Sequence, residues 1–102
     1  MSLVASVVNY TVEPSNAEEL RRRVQEHLLP AAQALPGYQG FLLLDQGDDR
    51  RVALLFFETP EQVRTAQSAL TPVGEEHTYA LMSGPAIGSL ARVLISDGVF
   101  AE

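Results

Sequence analysis

Two runs, Phe41-Leu42-Leu43-Leu44 and Val52-Ala53-Leu54-Leu55-Phe56-Phe57, are apolar at every position, and nothing else constrains the fold of this 102-residue chain as tightly. They flank a turn rich in Gly and Asp, so residues 38–45 and 50–58 read as a β-hairpin. A strand with one solvated face alternates apolar and polar side chains. These strands do not alternate, which requires both faces of the hairpin to be covered. A chain this short has too few elements to cover both faces, and a second copy packed sheet against sheet is the simplest cover. The pattern therefore predicts a homodimer.

The remaining segments place the hairpin in a larger order. Residues 3–13, rich in β-branched side chains, read as a first strand that Pro14 ends. Ser15 with Glu18, or Asn16 with Glu19, has capping-box spacing and opens a helix. Leu20, Val24, Leu28, Ala31 and Leu35 form its apolar stripe. Pro30 lies within that stripe, where it removes a backbone hydrogen bond and loosens or kinks a turn. Pro36-Gly37 ends the helix. After the hairpin, Thr59-Pro60-Glu61-Gln62 caps a second helix whose inward residues are Val63, Ala66 and Leu70. Residues 71–89 are poorly patterned, with a short third helix expected at EEHTYALM. Residues 90–100 read as a last strand, bulged at Gly98. The order β-α-β-β-α-β predicts an α+β, ferredoxin-like single domain over 1–102, with a four-stranded antiparallel sheet covered by two helices on one face.

Composition removes several function classes. The chain has no Cys, so disulfides, thiolate nucleophiles and Cys-ligated metals are excluded. Its seven basic residues are all Arg, which removes lysine Schiff-base and P-loop chemistry. A net charge of −6 opposes a general nucleic-acid role, and Arg21-Arg22-Arg23 alternates with Glu18, Glu19 and Glu26 as a solvated helical face. No apolar stretch approaches the roughly 20 residues of a membrane span. The opening residues lack a signal-peptide pattern, so a cytoplasmic location is expected. The two His residues and scattered carboxylates propose no metal site.

The phrases LPGYQGF and FFETPEQ, the early strand VVNYTV, the helix running into LLPAAQALPG and a His after the second helix together resemble the antibiotic biosynthesis monooxygenase family. The resemblance covers nearly the whole chain. It implies a dimeric α+β barrel and, for function, a cofactor-independent monooxygenase acting on a small aromatic or polyketide-like substrate. Such substrates form a carbanion that itself activates dioxygen, so no cofactor is expected. The alternative is a non-catalytic, stress-related dimer that binds a small apolar or aromatic molecule. Haem-degrading relatives carry a Trp in the second helix; this chain has none, which argues against that activity.

Asn9 is the first candidate residue, a carboxamide on a strand face it shares with the small Ala5, Val7 and Thr11. It reads either as a tie between strands or, as the resemblance implies, as the donor to a substrate oxyanion. His77 and Tyr79 are the candidates for proton exchange, with the alternative that His77 is an ordinary solvated side chain beside Glu75 and Glu76. Val7, Thr11 and Met82 are the candidate substrate contacts. Asn9 and the segment 77–82 are expected to face each other across an apolar cavity between sheet and helices.

Overall fold

The structure, a computed structural model, describes residues 3–99. The first β-branched run forms β1 (Val4–Thr11), and Pro14 then opens α1 (Pro14–Arg23) rather than merely ending the strand. A proline suits the first helical position because its missing N–H would be unpaired there anyway. The N-cap is consequently Glu13, with no side-chain cap bond, and neither expected capping box at Ser15 or Asn16 forms.

Pro30 has the expected local effect. Residues Val24–Leu28 form a π turn, in which the Leu29 N–H donates to the Val24 carbonyl, and α2 (Leu29–Gln33) resumes the α-helix with Pro30 in its first turn. A π turn inserts one extra residue. That insertion shifts the helix phase, so Ala32, fully buried, takes the inward place expected for Ala31.

The hairpin is β2 (Gly40–Gly47) and β3 (Arg50–Phe57). Gly47, Asp48 and Asp49 all have positive φ, at 82°, 52° and 63°. Asp48 and Asp49 are the two loop residues between the paired Gly47 and Arg50, where the hairpin twist demands the left-handed region that Asp tolerates. A bulge between Asp45 and Gly47 adjusts the register.

α3 (Pro60–His77) starts on the full capping box read from Thr59 and Gln62. It runs through Pro72 and absorbs the EEH expected to begin a third helix; only a 3-10 turn, Tyr79–Leu81, follows. The last strand lies earlier than expected. β4 is Ile87–Arg92, residues 93–99 form no strand, and Gly98 (φ 77°) bulges nothing. Phe100, where that expected strand ended, lies outside the described residues.

The sheet order is β2-β3-β1-β4, all antiparallel, which gives the ferredoxin-like α+β arrangement. Both helical layers cover one face. Val4, Leu55 and Phe57 pack with Ala32, Val63 and Ala66, while Tyr10 and Val12 pack with Leu20 and Val24. The even-numbered positions of β1 therefore point at the helices, and the odd-numbered ones point away. Across the register this second face carries Leu42, Leu44, Val52, Leu54 and Phe56 beside Ala5 and Val7. It is an apolar sheet face with no helix on it.

Candidate functional site

Between sheet and helices lies an apolar chamber of about 90 Å³. Its floor is the helix side of the sheet: Ser6, Val8, Tyr10, Leu43, Ala53 and Leu55. Small side chains at Ser6, Val8 and Ala53 leave the volume. Val24, Leu28 and Leu70 wall it from the helices, and Tyr79 and Met82 close one end.

The rim is held by specific hydrogen bonds. Gln67 Nε2 donates to Ser6 Oγ and to the Ser89 carbonyl, both at 3.3 Å, which ties α3 to β1 and β4. Thr78, buried, donates from its hydroxyl to the Gly74 carbonyl (3.2 Å) and so caps α3. Gly74 itself is where Tyr79 sits. A Cβ at this position would stand 2.5 Å from the Tyr79 ring, so only glycine lets the phenol lie against the helix.

A second, polar cleft of about 320 Å³ adjoins the chamber, and Tyr10 and Leu43 line both. Glu18 and Arg21 border it from α1, Asp45 and Arg51 from the hairpin. Arg51 is directly opposite Tyr10 in one register and Asp45 in the other. Its Nη1 donates to Asp45 Oδ1 at 3.0 Å. The Tyr10 ring is buried, and burial raises its pKa above the usual 10, with Arg51 opposing the shift. Its hydroxyl has no hydrogen-bond partner among the described residues.

The structure brings Tyr79 and Met82 into the chamber but separates them from the other expected residues. Asn9 and Val7 occupy odd positions of β1 and point away from the helices, so the sheet lies between them and segment 77–82, whereas Thr11, at the strand end, accepts a hydrogen bond from the Ser83 hydroxyl (2.8 Å) just past that segment and does not line the chamber. Asn9 is exposed, over a shallow depression bordered by Arg50, Gly84, Pro85 and Ile87. Its amide makes no side-chain hydrogen bond among the described residues, so it is not the strand tie either. A cavity between sheet and helices is present, but Ser6 and Val8 line it in place of the expected Ala5, Val7 and Thr11, and Asn9 faces away from it.

His77 stands outside the chamber. Its ring stacks on His27 with centroids 3.7 Å apart and planes at 3°, and its Nε2 lies 3.6 Å from a Glu76 carboxylate oxygen. The π turn puts His27 there. Arg23 supports the same junction by donating to the His77 carbonyl (3.0 Å) and to Glu19 (2.8 Å). Among the described residues no cluster of three His or acidic side chains forms a metal site. The chamber thus offers an apolar surface, with Tyr10 and Tyr79 in its lining, to part of a small ring.

No family model and no curated protein matches the chain in sequence. Solved structures do match in shape. A cofactor-independent oxygenase from Streptomyces nogalater, SnoaB, superposes with a TM-score of 0.73 and 19% identity over 92% of this chain and 95% of its own. A Streptomyces coelicolor monooxygenase in complex with nanaomycin D gives 0.71 and 17% over 92% and 89%. A Nitrosomonas europaea protein of unknown function gives 0.71 and 19% over 95% and 94%. Others are described provisionally as antibiotic biosynthesis monooxygenases. The fold is that of the antibiotic biosynthesis monooxygenases. At these identities the likeness extends to architecture alone.

Proposed function

We propose that the protein is a cofactor-independent monooxygenase acting on a small aromatic or polyketide-like phenol, bound in the chamber between sheet and helices. The observation that carries this reading is the chamber itself, apolar on nearly every wall and closed by Tyr79. Similarity of fold to a cofactor-independent oxygenase and to a nanaomycin-binding monooxygenase supports it. A phenol with an acidic ring methylene loses a proton to give a carbanion, and the carbanion passes electrons to dioxygen. The methylene carbon becomes a carbonyl, one oxygen atom is retained, and the other leaves as water with the two protons lost from carbon. The chain's part is to exclude water, hold the ring and move a proton through the Tyr79 hydroxyl. Of the residues expected from sequence, Tyr79 and Met82 retain roles in this proposal. Asn9 and His77 would act only indirectly, since neither borders the chamber.

The working unit in this proposal is a homodimer, with the apolar outer face of the sheet covered by a second copy. The chamber lies wholly on the helix side, so each protomer binds its own substrate.

Dioxygen uptake with a panel of small phenols that carry a ring methylene tests the activity. Uptake matching phenol loss one to one, falling about 10²-fold in Tyr79→Phe as a lost proton-transfer group does, is the expected result. A second reading, a non-catalytic binder of the same ligands, is favoured by the position of both imidazoles outside the chamber. Binding without uptake would establish that reading instead.

A further inference from the structure

The chamber and the polar cleft meet at Tyr10 and Leu43, and their chemistry is complementary. We infer that they form one continuous site for an aromatic carboxylate, with the ring in the chamber and the carboxylate held in the cleft by Arg51 and Tyr10. The inference rests on the chamber being the small-molecule site, and it adds the class of ligand.

Three observations carry it. Tyr10 is only 7% exposed, yet its hydroxyl borders the cleft without a protein partner among the described residues. No buried side-chain oxygen or nitrogen among the described residues lacks a partner, so solvent reaches the Tyr10 hydroxyl at the cleft, where a ligand oxygen can take the water's place. Arg51 presents the matching charge. Its Nη1 is committed to Asp45 and to the Arg50 carbonyl, which fixes the guanidinium plane. Among the described residues the Nε and Nη2 donors make no hydrogen bond, and that edge of the fork fits the two oxygens of a planar carboxylate. Size is the third. An apolar cavity of about 150 Å³ takes a benzene ring. The chamber, at about 90 Å³, is smaller than that, so a ring entering it must extend past Tyr10 into the cleft. Across the cleft Arg21 adds a second positive charge, while Glu18 on the preceding turn keeps the cleft from attracting anions indiscriminately.

Calorimetric titration of the full-length protein with 2-naphthoate and with methyl 2-naphthoate at neutral pH tests the inference. The two probes share a ring system and differ in the anion. The acid should bind about tenfold or more tightly than the ester, the scale of a charge-assisted pair, and its affinity alone should fall as salt is raised. Arg51→Gln should bring the acid down to the ester. If that variant fails to fold, Arg51→Lys, which keeps the charge but loses the fork, should lose most of the preference. Equal binding of acid and ester by the wild type would overturn the inference and leave the proposed function standing. Binding of neither probe would overturn both.

Discussion

A missing side chain shapes the site as much as any side chain present. Gly74 lies in α3, where alanine is preferred by about 1 kcal/mol on intrinsic helix propensity. Yet its Cα is the surface against which the Tyr79 ring rests. Gly74→Ala therefore sets two effects against each other, because the added methyl strengthens the helix and evicts the phenol. Tyr79 is partly exposed and free to swing outward, so overall stability should change by no more than about 1 kcal/mol. Aromatic-ligand affinity and turnover should nevertheless fall, a split that denaturant melts and titration on the same variant will reveal. Unchanged ligand binding would mean that Tyr79 does not close the chamber. Gly37 has a different reason to be glycine. Its φ is 80°, and a Cβ would meet the Gln62 amide that completes the α3 capping box.

At the scale of elements, what was legible depended on how local the signal was. The box at Thr59 and Gln62 is a contact between near neighbours, and it forms as read. Pro14 outcompeted Ser15 and Asn16 for the helix start because proline fixes the first helical position wherever it falls. Leu94 and Ile95 have the side chains of strand residues, yet pairing with β1 selects 87–92 and leaves those two side chains exposed. The facing of β1 is the least legible feature. Its run is apolar or small at both parities, so nothing local states which side meets the helices; Asn9 and the segment 77–82 were therefore placed in one cavity when they lie on opposite faces. Only the pairing of Val4 with Phe57 and Tyr10 with Arg51 decides it. Arg22 and Arg23 in the basic run of α1 are ion-paired as their spacing predicts, and Arg23 also grips the end of α3 through the His77 carbonyl. Glu19, which accepts from Arg22 and Arg23, has its pKa lowered from 4.5 to about 2 by those hydrogen bonds. A lowered carboxylate pKa contributes stability that is present above the unfolded value and lost as pH falls. Wild type should therefore lose its stability advantage over Glu19→Gln between about pH 4.5 and pH 2, as acid melts of the two proteins would record. An advantage that persists at pH 2 would contradict the pairing.

For the whole molecule, the proposal gives one sheet two purposes, with a ligand chamber on the helix face and an apolar dimer surface on the other. Neighbouring residues of β3 separate them. Leu55 belongs to the core beneath the helices, whereas Leu54 pairs across the outer face with Val7 and Leu42. Leu54→Glu should leave each protomer folded and halve the mass seen by sedimentation from about twice 11.1 kDa. Leu55→Glu should unfold the chain, since a buried unpaired charge costs several kcal/mol. A wild type that sediments as a monomer would remove the dimer from the proposal without touching the chamber. The central claim is that the helix side of the sheet, and not the Asn9 side, receives the ligand. A crystal structure of the protein with a bound aromatic phenol tests it most directly. The account predicts the ring between Leu28, Leu70 and Tyr79, with an oxygen directed toward Tyr10; a ligand seated beside Asn9, with the chamber unchanged, would contradict it.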